Sequence, residues 1–69
     1  MEVKYTLHAK YIMKSRKIDK VWVEEAIKSP TKIEKEFDKY YARKKLDGLS
    51  IEVVYIKEKY IKVITVYWI

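Results

Sequence analysis

The sequence predicts an α+β fold in which two N-terminal helices pack on one face of a four-stranded antiparallel β-meander, in the order α-α-β-β-β-β. Three observations carry this. Apolar residues recur near helical spacing before Pro30 and alternate after it. Asp47-Gly48 stands between two alternating runs, the composition of a tight hairpin turn. The only proline and the only glycine both fall between predicted elements, so neither interrupts one.

Residues 6–17 read as the first helix, with Thr6 as N-cap and Leu7, Tyr11 and Ile12 at helical spacing. Ile18-Asp19 is a break, and Asp19 caps a second helix, "KVWVEEAIK". That helix stops at Ser29, because a residue before proline avoids the α region. Four strands follow: "KIEKEF", "KYYARKKL", "LSIEVVYIK" and "YIKVITVYWI". The segment "KEKY" at 57–60 is expected to form a second two-residue turn.

Sixty-nine residues make a single domain, 1–69. Without cysteine there is no disulfide, thiol chemistry or Cys-based zinc site, and no cofactor or metal is implied. Asn and Gln are absent while Lys and Glu abound, the bias of hyperthermophiles, so an archaeal source is expected. A net charge of +6 favours a polyanion such as RNA as partner. No secretory signal or membrane-spanning stretch is visible, so a cytoplasmic protein without a membrane partner is expected.

Two-residue turns at both later hairpins would fix which side chains share a face. Tyr40, Ala42, Leu46, Leu49, Ile51, Val53, Tyr55, Ile64, Val66 and Trp68 fall on the face the helices cover. The opposite face carries three cross-strand rows: Lys45–Ser50–Tyr67, Arg43–Glu52–Thr65 and Tyr41–Val54–Val63. Mixed basic, aromatic and hydroxyl groups are what a nucleic-acid surface needs. Arg43 and Lys45 suit a phosphate and its transition state, Tyr41 offers a ring for stacking, and Tyr67 offers a hydroxyl for proton handling. The competing explanation is an ordinary Arg43–Glu52 cross-strand pair, or a face closed by a homodimer partner.

His8 is the only histidine and falls in the first turn of the first helix. A neutral imidazole is a general base. Histidines at helix starts also cap or pack, and the open face is reached from there only around a sheet edge. Arg16, near the end of the same helix, is either a phosphate contact or a complement to the helix dipole.

"HAKYIMKSRKI", "VEEAIKSP" and "IKVITVYW" together resemble a family of small prokaryotic domains of unknown function. Its members open with His-Ala-x-x-Arg-Met-x-x-Arg-x-Ile and close on Thr-Val-Tyr. His8, Ala9, Met13, Arg16 and Ile18 match the opening, Val23, Ile27 and Pro30 the middle, and Thr65, Val66 and Tyr67 the end. Ile12 stands where the family's first arginine is usual. That family is similar to the RelE/ParE toxin superfamily and to BrnT-type toxins, which share the two-helix, four-strand order.

The resemblance implies a toxin of a toxin–antitoxin system, a metal-independent endoribonuclease acting on mRNA, often at the ribosome, and neutralised by an antitoxin. Arg43, Lys45, Tyr67 and His8 would then be the catalytic candidates, and Tyr41, Arg16, Arg43 and Lys45 the RNA contacts. The alternatives are a non-catalytic RNA-binding or dimerising module and a ParE-like gyrase inhibitor.

Overall fold

The computed structural model describes residues 2–69, in the order β1 (Val3–Tyr5), α1 (Leu7–Ser15), α2 (Lys20–Lys28), β2 (Lys32–Glu36), β3 (Lys39–Lys45), β4 (Ser50–Lys57) and β5 (Ile61–Trp68). The strands form one sheet ordered β1-β5-β4-β3-β2. The predicted helices and meander are present. To them the fold adds β1, parallel to β5 through Val3–Ile61 and Tyr5–Val63, so the sheet is mixed and five-stranded. Three residues carry too little alternation to read as a strand. Their partner lies at the other end of the chain, beyond any local signal.

Thr6 couples the edge strand to the helix. Its N–H donates to the Val63 carbonyl (3.1 Å) and its hydroxyl to the Ile64 carbonyl (3.0 Å). The same oxygen accepts from the Ala9 N–H at 3.0 Å, the expected N-cap bond. This anchoring sets the rotation of α1, and the buried stripe is Ala9 and Met13. Leu7 and Tyr11, whose spacing announced the helix, are 85% and 69% exposed.

The end of α1 is a Schellman motif: the Ile18 N–H donates to Met13 C=O (2.8 Å) and the Lys17 N–H to Lys14 C=O (3.4 Å). Lys17 sits at φ 56°, where glycine is usual. Asp19 caps α2 by accepting from the Val21 N–H at 2.8 Å. Val23, Ala26 and Ile27 turn α2 inward, and the Lys44 amine donates to Ser29 C=O at its end (2.8 Å).

The core lies between the helices and β3–β5, around Ala42, Ile51, Val53, Tyr55, Val63 and Val66. Every residue of β2 is exposed. Leu46 and Leu49 pair as expected across Asp47-Gly48. Leu49, at the hairpin tip, is nonetheless 57% exposed. Only Gly48 of the two turn residues has a positive φ (79°), so this is not a type I′ turn, which needs two.

The register of β5 departs from expectation twice. Ile61 pairs with Lys57, which leaves three residues in the turn, not two. A bulge then breaks the ladder: Tyr55 pairs with Val63 and Val54 with Thr65, leaving Ile64 without an opposite residue. Each one-residue shift reverses the faces, and two restore them. Val66 and Trp68 therefore keep the core side, while Val63, expected on the open face, is fully buried in the core. Ile64, expected in the core, is the half-buried bulge residue. The observed rows are Arg43–Glu52–Tyr67 and Tyr41–Val54–Thr65, with Lys45 opposite Ser50.

Candidate functional site

β1 ends at Tyr5, so beyond Val63 the outer edge of β5 has no strand beside it. The outer stripe of α1 runs along this stretch. His8, Ile12 and Arg16 lie four residues apart, which aligns them on one side of a helix. Ile12, Arg16, Thr65, Val66, Tyr67 and Trp68 line a groove of about 280 Å³. At its upper end His8 Nε2 is 3.1 Å from Thr65 Oγ1. At its lower end the Trp68 indole N–H donates to Arg16 C=O (3.0 Å), fixing the helix end against the strand. The bulge makes this possible, since it turns Thr65 and Tyr67 toward the open face after Val63 has turned into the core.

From the groove a chain of polar contacts crosses the sheet. The Tyr67 hydroxyl donates to Glu52 Oε2, and Arg43 Nη2 donates to Glu52 Oε1 at 3.2 Å. The hydrogen bond to Glu52, together with partial burial, raises the Tyr67 pKa from 10.0 to about 12. The phenol therefore keeps its proton at neutral pH. Arg43, 46% exposed, is paired within the fold, as the cross-strand explanation anticipates.

A second depression of about 410 Å³ lies over Arg43, lined by Glu34, Lys35, Glu36, Tyr41, Arg43 and Glu52. Three carboxylates and two cations line it, and the Arg43–Glu52 pair is among them. The groove lining, by contrast, holds Arg16 and no carboxylate. Lys45 lines neither; it stands on the open face beyond Arg43, its N–H bonded to Thr31 Oγ1 (3.0 Å). Among the described residues, no three His, Asp or Glu side chains gather as a metal ion would require. No helix among them is long and apolar enough to cross a membrane.

A family model described as a domain of unknown function, DUF4258, matches residues 5–68. The chain belongs to the DUF4258 family. No curated protein and no solved structure matches it.

In this DUF4258 domain the residues singled out from sequence divide into two groups. Arg16 and Tyr67 line the α1–β5 groove and His8 touches its Thr65, whereas Arg43 and Tyr41 belong to the second depression and Lys45 stands apart. Tyr67 bonding to Glu52 joins the two regions. Ile12 forms an apolar wall in the groove. Thr65 and Glu52 were legible as open-face positions but not as partners of His8 and Tyr67. Alternation predicts a face; it does not predict a contact set by a bulge.

Proposed function

We propose that this domain binds RNA along the α1–β5 groove and cleaves it without a metal ion, as the toxin of a toxin–antitoxin pair. The observation that supports this reading is a groove lined by Arg16, Thr65 and Tyr67 and by no carboxylate, with His8 held against its Thr65. His8 is exposed and held at Thr65, so its imidazole can take the proton of a ribose 2′-hydroxyl. The freed oxygen attacks the adjacent phosphorus, the bond to the 5′-oxygen of the next nucleotide breaks, that oxygen takes a proton from water while the His8 imidazolium returns its own to solvent, and a 2′,3′-cyclic phosphate remains. Arg16 neutralises charge on the phosphorane. Lys45 and the net charge of +6 draw the polyanion in from a distance. An antitoxin would act by covering the groove, and the protein would work in the cytoplasm.

The test is incubation of labelled RNA with the protein in EDTA at elevated temperature, beside His8→Ala, Arg16→Ala and Arg43→Ala/Lys45→Ala. Cleavage leaving cyclic phosphate ends, abolished by His8→Ala and lowered at least ten-fold by Arg16→Ala, is the expected result. Absence of cleavage and of binding, both with free RNA and with ribosome-bound mRNA, would overturn it.

A second reading is RNA binding without cleavage. It is favoured by the Arg43–Glu52–Tyr67 contacts, which commit two of the four catalytic candidates to the fold itself. Salt-sensitive binding with no cyclic phosphate product is its outcome.

A further inference from the structure

Tyr67 is 38% exposed, on the open face, and lines the groove with Arg16 and Thr65. Its hydroxyl is not aimed at the groove's contents; it is bonded to Glu52, and Glu52 is held by Arg43. The Glu52 side chain is only 13% exposed, so the anchor is itself confined. A tyrosine secured at its far end has lost most of its rotamer freedom before any ligand arrives, and what it presents is the ring.

We propose that the ring of Tyr67 is a stacking shelf for a nucleobase, with Glu52 and Arg43 as its positioning residues. This rests on the groove being an RNA site and defines its base-binding part. A flat aromatic surface already ordered takes a base without a further ordering cost. The phosphate attached to that base falls on the side of Arg16, in a lining without carboxylates, and away from the depression that Glu34, Glu36 and Glu52 line. Tyr41 is the less favourable shelf, because it lies among those carboxylates. Arg43 thus serves the site through Glu52 and Tyr67 and need not touch phosphate.

The experiment uses a short 2′-O-methyl oligonucleotide carrying 2-aminopurine, which cannot be cleaved through its 2′-oxygen and whose fluorescence falls when the base stacks. Wild-type protein should bind and quench it. Tyr67→Phe keeps the ring but loses its bond to Glu52, so it should bind and quench less than wild type yet more than Tyr67→Ala, which should bind roughly ten-fold more weakly than wild type and lose the quenching. Glu52→Ala and Glu52→Gln remove the same charge, but only glutamine can still accept from the Tyr67 hydroxyl. Quenching should therefore fall in Glu52→Ala and recover in Glu52→Gln, with melting temperatures confirming that both variants fold.

Equal losses in Tyr67→Phe and Tyr67→Ala would overturn the shelf, and equal quenching in both Glu52 variants would overturn the positioning role. If either happened while binding still required Arg16, the groove would remain an RNA site and only this inference would fall. If wild type bound no oligonucleotide, the RNA reading would fall and the shelf with it.

Discussion

At the scale of the residue, Thr6 concentrates more of the fold than its size implies. It caps α1, closes the end of the β1–β5 pairing and ties the Ile64 bulge carbonyl. Thr6→Ala should destabilise the domain by about 1–2 kcal/mol, a loss of several degrees in melting temperature, with Thr6→Ser recovering most of it. Lys17 offers the opposite case. Its φ of 56° is costly for any residue with a Cβ, and the position is an exposed helix end. Lys17→Gly should therefore raise stability by up to about 1 kcal/mol in thermal or denaturant unfolding. A fall would mean that the Lys17 side chain makes a contact worth more than the backbone strain.

At the scale of the element, the two edges of the sheet differ. β1 is short, yet it is fastened at both ends, by the Ile61 N–H donating to Glu2 C=O (2.9 Å) and by Thr6. β2 is longer but exposed throughout, and its two lysines and two glutamates around Ile33 discourage pairing with another chain. Local opening should follow packing and not strand length. Amide hydrogens of β2 should exchange with solvent faster than those of β4, read residue by residue by NMR. The β5 amides paired with β1 should stay protected. Ala9 makes the close approach of α1 to the sheet possible, being fully buried. Ala9→Leu should cost about 1–3 kcal/mol by overpacking, and displacement of α1 would part His8 from Thr65.

At the scale of the whole molecule, the tyrosines set the alkaline limit. Tyr5 and Tyr67 both have pKa values raised from 10.0 to about 12, Tyr5 chiefly by burial and Tyr67 chiefly by its bond to Glu52. In the unfolded chain these phenols ionise near 10, so above that pH the unfolded state binds fewer protons than the folded one. The stabilisation they give is complete below pH 10 and is lost as pH rises through about 12. Unfolding temperature should fall across that window in wild type and fall less steeply in Tyr67→Phe. At neutral pH the net charge is +6, and the proposed RNA binding should weaken steeply as salt rises.

The sequence by itself determined the two helices, their caps at Thr6 and Asp19, the stop at Pro30 and the four-strand meander. These are local matters of hydrogen-bonding side chains and backbone restriction, written within a few residues of where they act. It also marked most of the open face, through alternation alone. Tertiary structure decided what touches what there. β1 pairs with a strand some sixty residues away, and the bulge at Ile64 offsets a longer turn at 58–60, an adjustment no turn count could supply. From those two non-local events comes the candidate site. His8 reaches Thr65 around the edge that β1 leaves open, Tyr67 moves opposite Glu52, and Arg43 is drawn into supporting it.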